Sequence, residues 1–255
     1  MKIYSGDYGD LADCSIVIIT AGANQKPDET RLDLVSKNIA IHKKIIPQIV
    51  EVNKECILLI VSNPVDILTY AAIKISGFDS SRVIGSGTVL DTARLKYLLG
   101  DYLGVDNRSV HAFIIGEHGD SELAVWSSAN VSGIDLDDFC EISGKCHDST
   151  FRKLFEEVRD SAYSVIEKKG ATYYAIAMAV RRIVKAIIRD ENSIMPVSCM
   201  PRGHYGVDDV CIGIPAIVGA GGIKEILDIR LDESENKQLA ESVMKLKSVI
   251  ADIGF

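Results

Sequence analysis

Residues 14–23 read C-S-I-V-I-I-T-A-G-A, and this stretch sets the expectation for the fold. Cys14 to Thr20 is a nearly continuous apolar run rich in β-branched residues, which is typical of a strand buried on both faces of a parallel sheet. The run ends in Ala21-Gly22-Ala23, where a glycine lets the backbone approach a ligand closely. The sequence therefore predicts a buried strand followed by a turn that can contact a ligand.

The chain beyond this strand alternates between helices and strands. Apolar positions from Leu32 to Ile49 recur at helical spacing, and Pro47 is expected to kink or divide that helix. Ile57 to Val61 is the next apolar strand, Val65 to Ile75 is a second helix, and Arg82 to Ile84 is a short third strand. Strands and helices in this order indicate a parallel α/β sheet.

Residues 86–120 contain three side chains that can act on a small acid. Leucines at helical spacing predict a helix that stops at Gly100, and Asp91 and Arg94 lie three residues apart on it, so they share a face. Ala112 to Ile115 is expected to be a buried strand, followed by the glycine-flanked His118. If helix and strand tip converge, these groups form a site that can hold a carboxylate and take a proton.

The second half of the chain has a different pattern. It contains two long helical segments, 151–170 and 172–188, and an amphipathic C-terminal helix at 233–253. Between them, Ile194 to Cys199, Val210 to Ile214 and Ile226 to Leu231 are predicted to be antiparallel strands. This half is therefore expected to be α+β and to form a separate lobe.

Composition narrows the classes of function. A chain of 255 residues can form one large or two modest domains, and its net charge of -8 argues against nucleic acid as a partner. No stretch is apolar enough over sufficient length to span a membrane. Cys140, Cys146 and His147 are conceivable metal ligands, but no second cluster has zinc-like spacing, so no metal site is predicted.

Five motifs together carry a family resemblance. They are T-A-G-A-N-Q-K-P-D-E-T-R at 20–31, V-S-N-P-V-D at 61–66, L-D-T-A-R at 90–94, G-E-H-G-D at 116–120 and K-K-G-A-T-Y-Y-A-I-A-M at 168–178. In this order they resemble the L-lactate dehydrogenases of the lactate/malate dehydrogenase family. The resemblance implies NAD-dependent interconversion of (S)-lactate and pyruvate by hydride transfer, in a truncated Rossmann-type parallel sheet followed by an α+β catalytic domain.

The resemblance also implies roles for the acid–base group and its neighbours. His118 would exchange a proton with the substrate oxygen, since its unperturbed pKa of about 6.5 lies near working pH. Asp91 would orient the imidazole ring and stabilise its charged form. Arg94 would bind the substrate carboxylate through two parallel hydrogen bonds, and Arg31 would polarise the carbonyl.

Further substrate contacts follow from the resemblance. Asn63 would hydrogen-bond the reacting oxygen, and Thr172 would lie beside the substrate. Gln25 would read specificity, because malate dehydrogenases have an arginine at this position to pair a second carboxylate. The remaining residues that match family cofactor contacts are Tyr8, Gly22, Ala23, Val61, Asn63, Ser86 and Ile176.

Each of these residues also has an interpretation without catalysis. Taken alone, His118 could be a structural residue at a strand end, and Asp91 and Arg94 could form a surface ion pair. Asn63 could help to begin a helix together with the following proline, and Thr172 could be an N-cap. Residues such as Gln25 in a polar loop are usually solvated. The co-occurrence of the motifs favours the functional interpretation.

The family's dinucleotide-binding glycine fingerprint is missing from this chain. Gly219-Ala220-Gly221-Gly222 is glycine-rich, but no βαβ unit with an acidic strand end follows it. We therefore expect residues 1–87 to be the remnant of an NAD-binding domain, residues 88–255 to be the catalytic domain, and NAD binding by this polypeptide alone to be weak or absent. Unpaired backbone groups are expected along the edge of the first strand.

Regulation and assembly are inferred from the resemblance alone. Lys96 and His111 occupy positions that bind fructose 1,6-bisphosphate in some bacterial members, where an arginine is usual in place of the lysine. Asp28 stands where the family usually has glycine, and its charge is expected to slow loop closure. A cytoplasmic homotetramer is expected. The alternatives are a malate or other 2-hydroxy acid dehydrogenase, and an inactive fragment that associates with full-length subunits.

Overall fold

A computed structural model of the chain describes residues 2–23, 30–144 and 148–254, without the side chains of Arg31 and Asp148. Gln25, Asp28, Cys146 and His147 therefore lie outside the described residues, as does the Arg31 side chain. Within the described ranges the strands are β1 (Ile16–Ile19), β2 (Ile57–Ile60), β3 (Val83–Gly85), β4 (Val110–Gly116), β5 (Glu122–Val131), β6 (Ile134–Asp135), β7 (Ser193–Cys199), β8 (Ile212–Gly219) and β9 (Gly222–Ile226). The helices are α1 (Arg31–Val52), α2 (Val65–Ser76), α3 (Val89–Leu103), α4 (Leu136–Ser143), α5 (Asp148–Lys169), α6 (Tyr174–Ile188) and α7 (Glu233–Asp252).

One sheet runs through both halves of the described chain. Its strand order is β1-β2-β3-β7-β8-β4-β5-β6, with β9 paired to β8. β1, β2 and β3 are parallel, which confirms the predicted α/β class. In the remainder of this strand order, which contains β7, β8, β4, β5 and β6, neighbouring strands are antiparallel. The halves join where Gly85 pairs with Ser198 of β7. The two strands approach so closely there that a Cβ added at Gly85 would lie 2.7 Å from the Ser198 Cβ. The second half therefore has no separate sheet of its own.

The first strand differs from its prediction. β2 is buried along its whole length, whereas β1 alternates, and Ile18 is 42 % exposed. β1 lies at the edge of the sheet among the described residues, and successive side chains of a strand point to opposite faces. The face that carries Ile18 opens onto a cleft instead of packing under a helix. The expectation that this strand is buried on both faces is therefore wrong.

One glycine differs in role from its prediction, and one predicted strand differs in its bounds. Gly100 does not end α3, which continues to Leu103 and is terminated by Gly104 in the left-handed conformation (φ 72°). Gly100 instead allows close packing, since an added Cβ would lie 3.0 Å from the Asn107 Cα. The glycine-rich run at 219–222 forms the tight turn between β8 and β9, so the third predicted strand lies at 222–226 and not at 226–231.

Two clusters of buried apolar side chains stabilise the described fold. The larger combines β1–β3, α1 and α2 with α6, β7, β8 and α7, and the smaller packs α3 and α5 against β4 and β5. α1 is continuous through Pro47, so the predicted kink does not divide it. In the described part of the chain, no helix combines the length and apolarity needed to cross a membrane.

Candidate active site

His118 lies in the turn between β4 and β5, and hydrogen bonds from two helices fix the backbone of that turn. The Glu117 N–H donates to Ser242 Oγ of α7 at 2.8 Å. The His118 N–H donates to Asp66 Oδ2 of α2, also at 2.8 Å. Asp66 is buried and accepts a second hydrogen bond from Ser198 Oγ at 2.6 Å. The imidazole is therefore carried by a turn with little freedom to move.

The start of α3 is attached to β4, and this attachment brings the aspartate to the histidine. Thr88 Oγ1 donates to the Ile114 carbonyl oxygen at 2.6 Å, and the Ile114 N–H donates to Thr92 Oγ1 at 2.8 Å. Asp91 lies between these two threonines in the sequence. Its Oδ2 accepts a hydrogen bond from His118 Nδ1 at 2.7 Å. The helix and the strand tip thus converge as the sequence indicated.

Electrostatics make this contact an ion pair. Asp91 is 3 % exposed, and the Arg94 guanidinium lies 3.6 Å from its other oxygen. Burial lowers the pKa of His118, but the charge of Asp91 and the hydrogen bond to it outweigh burial and raise that pKa to about 9. Burial acts to raise the pKa of Asp91, but His118 and Arg94 outweigh burial and lower that pKa. At neutral pH the imidazole therefore holds a proton that it can donate.

The imidazole borders a cleft of about 740 Å³ at the carboxyl ends of β1, β2 and β3. The His118 side chain is 25 % exposed, and its Nε2 has no hydrogen-bond partner among the described residues. The lining residues are Ile18, Thr20, Gly22, Ala23, Leu34, Val61, Ser62, Asn63, Ser86, Leu90, Arg94, His118, Ala162, Ile166, Thr172, Tyr173, Ile176, Ala177 and Val180. The cleft thus combines an acid–base group and a guanidinium with largely apolar walls.

Most of the residues singled out from the sequence meet in this cleft. Besides Arg94 and His118, its lining includes Gly22, Ala23, Val61, Asn63, Ser86, Thr172 and Ile176. Asp91 lies directly behind His118. The catalytic, substrate and cofactor roles of these residues stay predictions.

Three other predicted residues, Tyr8, Lys96 and His111, lie outside the cleft. Tyr8 begins a short 3-10 helix, packs against the core and does not line the cleft. Lys96, which is half-buried on α3, and the exposed His111 on β4 also lie outside it. Gln25 and the Arg31 side chain fall outside the described residues.

Sequence reasoning missed three buried polar residues that shape the site. Asn38 Oδ1 accepts from the Ala23 N–H at 2.7 Å, and its amide donates to the Asn63 carbonyl oxygen at 2.7 Å, so it joins the loops after β1 and β2. Asp66 holds the His118 backbone, and Glu122 lies beside the Asp91–His118 pair. An acid within the apolar helix at 65–76 was a signal for Asp66. Nothing in the local pattern indicated Asn38.

Comparison with protein families gives two adjoining matches. Residues 1–85 match the family described as lactate/malate dehydrogenase, NAD binding domain. Residues 88–254 match lactate/malate dehydrogenase, alpha/beta C-terminal domain. Together the two matches cover nearly the whole chain.

Individual relatives agree with these matches. The chain is 55 % identical over 251 residues to an L-lactate dehydrogenase of Acetivibrio thermocellus, a match that covers 98 % of this chain and 79 % of the relative. It is 53 % identical over 249 residues to an L-lactate dehydrogenase of Streptococcus pneumoniae, covering 98 % of this chain and 76 % of that one.

Solved structures show the same similarity. A crystal structure of a lactate dehydrogenase from a Medee basin deep-sea metagenome library superimposes with a TM-score of 0.97 at 44 % identity, covering 100 % of this chain and 82 % of that one. The minor L-lactate dehydrogenase of Enterococcus mundtii, in its ligand-bound form, superimposes with a TM-score of 0.94 at 42 % identity, covering 98 % and 79 %.

Proposed function

Because this chain belongs to the lactate/malate dehydrogenase family, we propose that it is an NAD-dependent L-lactate dehydrogenase that interconverts (S)-lactate and pyruvate. The observation that carries the proposal is the 2.7 Å hydrogen bond between His118 and Asp91 at the wall of a cleft that Arg94 also lines. A proton donor beside a guanidinium is what reduction of a 2-keto acid requires, since one group binds the carboxylate and the other protonates the carbonyl.

Arg94 binds the substrate carboxylate. Its side chain is held near Asp91 at 3.6 Å and still lines the cleft, so its remaining N–H groups are available to a ligand. A planar guanidinium matches the two oxygens of a carboxylate, whereas an ammonium group does not. Thr172 and Asn63 border the same cleft and supply additional polar contacts to the substrate.

His118 transfers the proton. In pyruvate reduction the charged imidazole donates from Nε2 to the carbonyl oxygen, and Asp91 stabilises the charge until the proton leaves. In lactate oxidation the neutral imidazole takes the hydroxyl proton. Arg31 polarises the carbonyl, and Gln25 accommodates the methyl group of pyruvate. These last two roles rest on the sequence resemblance.

The residues present fit the nicotinamide end of NAD. The cleft lies at the carboxyl ends of three parallel strands, the position at which such sheets bind dinucleotides. Gly22, Val61 and Ile176 form a compact, mainly apolar wall; an added Cβ at Gly22 would lie 3.1 Å from the Ser62 Cβ. When bound, the nicotinamide ring would accept hydride from lactate or return it to pyruvate. Ala23 and Ser86 would complete its contacts.

Assembly, regulation and compartment belong to the same proposal. Exposed apolar side chains on α5 and α6, including Ile166, Tyr174 and Met178, would suit contacts between subunits of a homotetramer. Fructose 1,6-bisphosphate is proposed as an effector through Lys96 and His111. A cytoplasmic location is proposed from the family alone.

The test is pyruvate-dependent oxidation of NADH by the purified chain. NADH is first titrated by fluorescence to establish the concentration that saturates the protein, which also tests the expected weak binding. Pyruvate should then be reduced, and His118→Asn should lower kcat by about 10³-fold with an unchanged circular dichroism spectrum. Oxaloacetate is assayed in parallel as the malate alternative. A saturated wild-type chain that leaves pyruvate unreduced would overturn the proposal, and native mass spectrometry with an intact homologue would then test for association only.

A further inference from the structure

Glu122, the first residue of β5, places a second buried carboxyl group beside the Asp91–His118 pair. It is 6 % exposed. One ligand atom from each of these three residues lies within 4.8 Å of the others. Glu122 Oε1 has no hydrogen-bond partner among the described residues. A third titratable group therefore belongs to the cluster in which the proton is held.

Other buried acids near the site are satisfied by hydrogen bonds. Glu117 accepts from Ser121 Oγ, and Asp66 accepts from Ser198 Oγ and the His118 N–H. At the far side of β5, Glu235 accepts from the Trp126 and Ser127 N–H groups at 2.8 and 3.0 Å. A buried carboxylate without such donors is costly as an anion and is favoured in its neutral form. Glu122 is distinguished by its buried Oε1, which accepts no hydrogen bond from the described residues.

The charges that face Glu122 come from several elements. Burial raises its pKa, the charge of Asp91 on α3 raises it further, and the result is about 8 despite the opposing effects of His118, Arg94 and Arg159. Arg94 also lies on α3, and Arg159 lies on α5. The effect is mutual, because the charge of Glu122 also raises the pKa of His118. Its contribution is smaller than those of burial and of Asp91. The charge of Asp66 on α2 likewise raises the pKa of His118.

We propose that Glu122 is a positioning residue that sets the proton affinity of His118: its carboxyl group lies beside the Asp91–His118 pair, and when it is an anion it holds the proton on the imidazole. The proposal rests on the proposed function only in taking His118 as the acid–base group. Because the carboxyl groups of Glu122 and Asp91 lie close together, one anion suppresses ionisation of the other. The protons therefore leave in steps that belong to the cluster.

An ionised Glu122 would affect the two directions of the reaction differently. Pyruvate reduction needs charged imidazole, and an ionised Glu122 extends that state to higher pH. Lactate oxidation needs neutral imidazole, so the same carboxylate delays it. A neutral Glu122 at pH 7 also avoids a second negative charge beside the site of an anionic substrate.

The test is a titration of the His118 imidazole by ¹⁵N NMR in the purified chain without cofactor. The signal is assigned by its absence in His118→Asn, because the chain contains five histidines. In Glu122→Gln, which keeps the size of the side chain but cannot ionise, the His118 midpoint should fall by about one pH unit. The matched control is Glu117→Gln, which removes a buried acid bonded to Ser121, and its midpoint should equal that of the wild type.

Two results would overturn the inference. One is a His118 midpoint that is the same in Glu122→Gln as in the wild type. The other, which needs no variant, is a Glu122 carboxyl carbon signal that titrates below pH 5 in ¹³C spectra of the wild type. A wild type that fails to reduce pyruvate yet shows the shift in Glu122→Gln refutes only the proposed function. An active wild type without the shift refutes only the role of Glu122.

Discussion

Replacing Asp91 by asparagine tests the central ion pair of the site. The amide keeps the size of the side chain and can still accept from His118 Nδ1 through its oxygen, but the negative charge is lost. In the wild type the pKa of His118 is raised from 6.5 to about 9 although burial acts to lower it. That rise corresponds to about 3 kcal/mol of preference for the charged ring, and Asp91 supplies the largest share. Without it, burial is opposed only by the smaller effects of Glu122 and Asp66, and the His118 pKa should fall to about 6.5 or below.

The expected effect on activity follows from the fraction of charged imidazole. At pH 7.5 nearly all of the wild-type His118 is protonated, whereas at most about a tenth is protonated in Asp91→Asn. The kcat/KM for pyruvate should therefore fall at least about tenfold at pH 7.5, and part of the loss should be recovered near pH 5.5. The assay is a profile of kcat/KM for pyruvate between pH 5.5 and 9.5, in which the alkaline limb moves to lower pH.

The control is Asp120→Asn. Asp120 is an exposed acid two residues from His118, and it accepts from Tyr163 OH at 3.1 Å. Loss of this nearby charge should leave the alkaline limb in place, because Asp120 does not contact the imidazole. If the limb of Asp91→Asn lies within half a pH unit of the wild type, the ion pair does not set the proton affinity of His118.

Three further predictions concern binding, specificity and folding. Arg94→Lys should raise KM for pyruvate by about 10²-fold, because an ammonium group cannot form the paired hydrogen bonds, and an unchanged KM would exclude Arg94 as the carboxylate ligand. Gln25→Arg should shift the ratio of kcat/KM values toward oxaloacetate by at least about tenfold, and without a shift Gln25 is not the specificity residue. Burial lowers the pKa of His42, which is 0 % exposed, from 6.5 to about 4, so the folded state binds this proton more weakly than the unfolded chain. The free energy of unfolding should thus fall by about 3 kcal/mol in total as the pH drops below 6.5, and it should level off below about 4. Urea denaturation at pH 7 and 4.5 should show a smaller fall in this free energy for His42→Gln than for the wild type. Equal falls in the two proteins would contradict the assignment.

The local pattern located most of the regular structure. The apolar runs at 16–19, 57–60 and 83–85 are the three parallel strands, and the helical periodicities after them are α1, α2 and α3. Helical spacing alone placed Asp91 and Arg94 on one face, and glycines marked the turn that carries His118. These features depend on residues a few positions apart, so the sequence displays them directly.

Other predictions failed because a local pattern does not report distant neighbours. Ile18 belongs to an apolar run as uniform as that of β2, yet its face opens onto the cleft because β1 lies at the edge of the described sheet. Gly100 has the composition of a helix stop, but it serves the close approach of the chain at Asn107. The pairing of Gly85 with Ser198, which makes one sheet of both halves, joins residues more than a hundred positions apart.

The amino-acid pattern was enough to predict the alternating strands and helices as far as α3, the turn that carries His118 and the family to which the chain belongs, but not the strands β5 and β6 or the helix α4. Packing between distant elements selects the buried acids that surround the imidazole: Asp66 on its backbone, Asp91 on Nδ1 and Glu122 beside them. The proton affinity of His118 depends on desolvation and on charges a few ångströms away. Those distances are set by packing between elements, and the periodicity of any one element does not contain them.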